Sequence, residues 1–155
     1  GKYTIERPLH FGAALASAPV ELISTYSDYG IPLGEAFQLR DDLLGVFGNP
    51  EATGKPAGDD LREGKRTALI AVALERANGS QKSLLLSGIG DANLTSDKVA
   101  DLQQVITETG ATSHIESMIS KLTSTSLSAL NHGGISPVGK QLLTELAILA
   151  TDRKI

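Results

Sequence analysis

The chain contains no cysteine and no tryptophan, and aromatic residues make up only 4% of it. Without thiols there is no disulfide framework, no thiolate nucleophile and no thiolate metal site, a composition that fits a reducing cytoplasmic compartment. The scarcity of aromatics leaves Leu, Ile, Val and Ala to build a core within 155 residues, 41% of them hydrophobic, enough for one domain. No apolar run approaches the roughly 18 residues of a membrane-spanning helix. A formal net charge of -4 with no broad basic patch argues against a nucleic-acid surface. There is no alternating strand pattern, internal repeat or low-complexity tract.

What the chain does have is regular helical punctuation. An apolar, alanine-rich segment runs from Pro8 to Ser17, and a second starts at Pro19 and stops at Gly30. Pro32 suits the first turn of a third helix, whose pattern from Leu33 to Phe47 sets Phe37, Leu44 and Phe47 on one side. Gly48-Asn49-Pro50 ends it. Asn49 to Gly64 reads as a loop from its Gly, Pro and charge content, Lys65 to Ala77 as a helix, and Asn78-Gly79 as its close. After a short Leu84-Leu85-Leu86 segment, Thr95 or Ser96 caps a helix carrying Val99, Leu102, Val105 and Ile106. A further helix covers roughly Ala111 to Asn131, weakened by the hydroxyl-rich run Thr123 to Ser126 and ended by Gly133-Gly134. Ser136-Pro137 is an N-cap and first-turn pair for a last helix using Leu142, Leu143, Leu146 and Leu149. The expected fold class is all-α.

The stretch from Phe37 to Thr67, FQLRDDLLGVFGNPEATGKPAGDDLREGKRT, concentrates acids, lysines and glycines around a helical segment. Acids hold Mg2+, and lysines and backbone N–H groups hold phosphate oxygens. Phe37-Gln38, Asp41-Asp42, Gly54-Lys55, Asp60-Leu61 and Lys65 resemble the second aspartate-rich region of trans-type polyprenyl diphosphate synthases. Gly1-Lys2-Tyr3-Thr4 is similar to that family's phosphate-binding Lys-Thr segment, with Tyr3 where the threonine usually follows. The resemblance covers the C-terminal half of such an enzyme; the family's first aspartate-rich motif, DDxxD, is not in the sequence. The expectation is therefore the C-terminal portion of a single all-helical domain, inactive alone.

The resemblance implies head-to-tail condensation of an allylic diphosphate with isopentenyl diphosphate, dependent on Mg2+, in a homodimer. The expected catalytic residues are Lys2, Gln38, Asp41 and Lys55, with Phe37 and Lys65 binding substrate and Asp41 and Asp42 serving the metal. Successive helical residues are about 100° apart, so Asp41 and Asp42 cannot aim at one point, whereas Phe37, Gln38 and Asp41 share a face. Asp41 is thus the expected direct ligand, and Asp42 the acid that supports it or restrains Lys55, Lys65 or Arg66. One turn beyond Asp41 stands Gly45, where many relatives carry a third acid. Spacing alone also admits a solvated acid pair beside Arg40; the flanking Phe-Gln and lysine-glycine loop favour the metal reading. A non-catalytic diphosphate-binding regulatory subunit is the alternative function.

Other apparent motifs fail on chemistry. Gly58 to Thr67 has five residues between its glycines and Arg66 after Lys65, so it does not meet the P-loop spacing. The sequons at Asn78 and Asn93 read as turn residues. His10, His114 and His132 lack metal-ligand spacing, although His10 is positioned to face a tail cavity.

Overall fold

The computed structural model describes residues 2–50, 54 and 56–153, with residues 2 and 3 described by backbone alone. Among the described residues all regular structure is helical, as the absence of alternating patterns predicts. A π-helical turn, Lys2–Glu6, leads into α1 (Arg7–Leu15). Then come α2 (Val20–Phe47), α3 (Asp59–Arg62), α4 (Ala68–Arg76), α5 (Gly79–Gly88), α6 (Ser96–Glu108), α7 (Ala111–Ala129) and α8 (Pro137–Thr151). No helix is long and apolar enough to cross a membrane.

The chain forms two compact units, one of the residues up to Gln38 with Met118–Arg153, the other of Leu39–Ser117. In the first, Ile5, Tyr29, Leu33, Leu130 and Ala147 form a buried cluster, flanked by Leu9, Phe37, Leu127 and Leu143. The Tyr29 hydroxyl donates to the Leu143 carbonyl at 2.7 Å, and Ser126 Oγ donates to the Tyr29 carbonyl at 2.7 Å. In the second, the fully buried side chains include Leu43, Val46, Leu61, Leu69, Leu85, Leu102, Ile106 and Ile115.

Several expectations need correction. Gly30 does not stop a helix: α2 runs unbroken through Gly30 and Pro32. A Cβ at residue 30 would lie 2.9 Å from the Glu6 Cα, so the glycine serves close approach of the N-terminal turn, and packing there overrides its low propensity. The fully buried hydrophobic positions along α2 are Tyr29, Leu33, Ala36, Leu43 and Val46, while Phe37, Leu44 and Phe47 are half-buried. The segment expected as loop contains α3, and the following helix starts at Ala68 because the Thr67 side chain accepts from the Ile70 amide. Asn78 opens a helix rather than closing one. Its side chain accepts from Gln81 N while the Gln81 side chain accepts from Asn78 N, a capping box that also absorbs the leucine segment into α5.

The caps at Thr95 and Ser136 are as read from the sequence. Helix α7 continues through the hydroxyl-rich run, where Thr123 and Thr125 donate to the carbonyls of Ile119 and Lys121 one turn back, bonding that weakens a helix without ending it, and Ser126 donates to the Tyr29 carbonyl.

Candidate functional site

The acids of α2 differ in burial as their angular separation requires. Asp41 is half-buried, whereas Asp42 is 9% exposed, so the reading of a solvated pair does not describe Asp42. Between Asp42 and Leu39 the chain carries Arg40, itself buried, whose guanidinium makes a two-bonded fork on Glu116 at 2.6 and 2.7 Å. This fork ties the acidic stretch of α2 to α7. One turn earlier Phe37 is half-buried under Arg153, whose guanidinium carbon is 4.8 Å from the ring centroid, a cation–π contact. Gln38 is exposed.

A second cluster forms around α3. The Lys65 Nζ lies 2.5 Å from Asp60 Oδ1 and 3.1 Å from Glu63 Oε2. Asp60 is 7% exposed, while the Lys65 side chain keeps 44% of its surface. Bonding to Asp60 and then to Glu63 holds the Lys65 ammonium well above its ordinary pKa, so it stays protonated through the neutral range. The cluster is framed by Arg62, which donates to the carbonyls of Ala57 (2.8 Å) and Leu94 (3.2 Å), and by the Gly90 amide, which donates to the Leu61 carbonyl at 2.8 Å. The acids bonded to Lys65 are Asp60 and Glu63, because the turn after α3 brings them within reach of the ammonium.

Of the expected site residues, Lys55 lies outside the described residues, as does the side chain of Lys2. Sequence reasoning gave Asp60 no role although it stood within the quoted motif, and the acid two residues before a basic residue at Glu63 was the available signal. Nothing in the sequence marked Arg153 as a neighbour of Phe37, which lies more than a hundred positions away. His10 Nε2 lies 2.9 Å from Ser27 Oγ, which donates to the buried Glu6; His10 and Ser27 are themselves half-buried. A groove of about 510 Å³ between α2 and α7, lined by Ser27, Pro32, Thr125 and His132 among others, contains none of the expected site residues. Among the described residues no three His, Asp or Glu side chains gather closely enough to hold a metal by themselves.

The helices and the acid-bearing α2 define an all-α protein with the helical fold of prenyl diphosphate synthases. The Polyprenyl synthetase family model matches residues 1–108, and the chain belongs to that family. It is similar to the geranylgeranyl pyrophosphate synthase of Corynebacterium glutamicum, whose structure is complexed with isoprenyl diphosphate and magnesium, at a TM-score of 0.95 and 45% identity. That similarity covers 98% of this chain and 43% of the synthase. The chain is 37% identical over 113 residues to the geranylfarnesyl diphosphate synthase of Aeropyrum pernix, covering 73% of this chain and 34% of the relative. It is also 37% identical over 98 residues to the (2E,6E)-farnesyl diphosphate synthase of Mycobacterium tuberculosis, covering 61% and 27%. The chain thus spans about a third of the length of these curated relatives.

Proposed function

We propose that the chain is the C-terminal portion of a Mg2+-dependent prenyltransferase domain that condenses an allylic diphosphate with isopentenyl diphosphate. The observation that carries this reading is the pair Asp41 and Asp42, half-buried and buried, one turn past Phe37 on a chain that superposes on a synthase holding isoprenyl diphosphate and magnesium. Two carboxylates fit the ion: Mg2+ keeps several waters and takes one or two protein carboxylates plus substrate phosphates, so a cage of three protein acids is not required. Asp41 would hold it, with Asp42 steadying that arrangement from its buried position.

Bound Mg2+ supplies Lewis-acid withdrawal of charge from the allylic diphosphate. The chain's own residues do the rest. Lys2, Lys55 and Lys65 balance the charge of diphosphate groups, Gln38 turns an amide oxygen toward developing positive charge, and Phe37 borders the path of the hydrocarbon tail. The allylic C–O bond breaks, the isopentenyl double bond forms the new C–C bond, and a proton leaves, giving the elongated diphosphate and inorganic diphosphate. Water must be excluded because it would capture the allylic cation as an alcohol.

The relatives' remaining length is the expected partner. On α1 and α8 the chain exposes Phe11, Leu15, Val138, Leu142 and Leu149, each at least 60% accessible, and we assign this apolar surface to the N-terminal half of the longer polypeptide. Homodimerisation and a cytoplasmic location belong to the same proposal.

The test is Mg2+-dependent incorporation of labelled isopentenyl diphosphate into allylic primers by the longest natural polypeptide containing residues 1–155. Elongated product that falls at least about 100-fold in Asp41→Ala supports the reading. No product from folded protein that still binds diphosphate overturns it in favour of a regulatory subunit.

A further inference from the structure

Gly45 stands one turn beyond Asp41, on the same face of α2, where the resemblance to polyprenyl diphosphate synthases implies a third carboxylate. The geometry around it says otherwise. A side chain at residue 45 would begin inside the Asp60 carboxylate, whose three terminal atoms all lie within 2.8 Å of an ideal Cβ. The space left by the glycine is filled by an acid delivered from α3. That acid is 7% exposed, and a carboxylate so removed from water needs a cationic partner. Lys65 provides it at 2.5 Å.

An ammonium has three N–H donors. Two go to Asp60 and Glu63, and the third, on a side chain still 44% accessible, is left for a ligand. Four bonds from the frame keep the arrangement in place: Arg62 to Ala57 and Leu94, Gly90 to Leu61, and Lys65 N to Asp60 O at 3.1 Å. Displacing Asp60 therefore cannot be relieved by a free swing of the loop.

We propose that Gly45 is the socket that seats the Asp60 carboxylate, and that Asp60 so seated positions the Lys65 ammonium for a diphosphate oxygen. Gly45 and Asp60 are positioning residues acting through Lys65. The gain is preorganisation: a lysine already held in one rotamer loses less freedom when it meets its anion. This inference rests on the prenyl diphosphate reading for the identity of the anion, and the glycine's role is deeper than the absence of an acid.

The experiment is a double-mutant cycle read by calorimetric titration of inorganic diphosphate, with Mg2+, into the longest natural polypeptide containing this chain. Gly45→Ala is expected to weaken diphosphate binding about 10-fold, the scale of one charge-assisted hydrogen bond, and Lys65→Met by a similar or larger factor. The double variant should bind no more weakly than Lys65→Met alone, because the glycine acts only through the lysine. Asp60→Asn keeps the occupant's shape and removes its charge, so it repeats the cycle if Gly45→Ala does not fold.

Independent losses that multiply, or binding unchanged in Gly45→Ala and Asp60→Asn, overturn the inference even if prenyl transfer is intact. A wild-type chain that binds no diphosphate overturns it too. Absence of prenyl transfer with the cycle non-additive sinks the proposed reaction and leaves this inference standing.

Discussion

Replacing Tyr29 with phenylalanine isolates one bond that ties α2 to α8. The ring is fully buried and is retained, so no cavity opens. What is lost is the hydroxyl's 2.7 Å donation to the Leu143 carbonyl. A neutral intramolecular hydrogen bond is worth about 1 kcal/mol net, and Leu143 also lies within α8, where the helix ladder uses its carbonyl. The expected loss is therefore about 1 kcal/mol, or roughly 2–4 °C in Tm for a chain of this size. Tyr29→Ala removes the ring as well and should cost about 3–5 kcal/mol.

A pH series sharpens the test. Burial pushes the Tyr29 phenol above its ordinary value, so its contribution to stability is complete below the unfolded pKa of about 10 and declines as pH rises beyond it. The wild type should lose about 1.4 kcal/mol between pH 8 and 11 through this group, a loss that the phenylalanine variant cannot suffer. Urea denaturation followed by far-ultraviolet circular dichroism should thus find Tyr29→Phe less stable by about 1 kcal/mol at pH 8, and the two proteins about equal near pH 11. A difference that stays constant across that range, or no difference at pH 8, would refute the reasoning.

Three further outcomes follow from other contacts. Arg40→Lys should lower stability by about 1–3 kcal/mol, since lysine cannot reproduce the two-bonded fork on Glu116; a urea-denaturation cycle with Glu116→Gln that comes out additive would count against the fork. Gly58→Ala should cost about 2–4 kcal/mol, because φ there is +72° and a Cβ would run into Val99 Cγ1, and Val99→Ala should recover part of the loss in thermal melts. Asn78→Ala should cost about 1 kcal/mol by removing the cap of α5, with amide exchange accelerating at Gln81 first; uniform exchange along α5 would show that the box does not hold its N-terminus.

The helices and the family were legible because both rest on local pattern. Thr95 and Ser136 announce caps through side-chain chemistry that needs only the next three residues, and the spacing from Phe37-Gln38 through Asp41-Asp42 to Lys65 survives in any conformation. The errors came where a residue's local meaning is reversed by a distant neighbour. Gly30 reads as a stop and is instead a crossing point for the turn at Glu6. The Asn78-Gly79 pair reads as an end and, with Gln81 behind it, is a beginning.

By itself, then, the sequence determined the all-α class, the helix caps at Thr95 and Ser136, family membership and the residue types available for diphosphate and metal. Tertiary structure alone decided that Asp42 is buried while Asp41 is half-open, that Lys65 bonds Asp60 and Glu63, that Arg153 covers Phe37, and that the vacancy at Gly45 is filled from α3. The physical reason is range. Helix propensity and capping act over three or four residues and are written in the order of the chain, whereas burial and charge pairing depend on which segments meet, and that is settled only when the whole core packs.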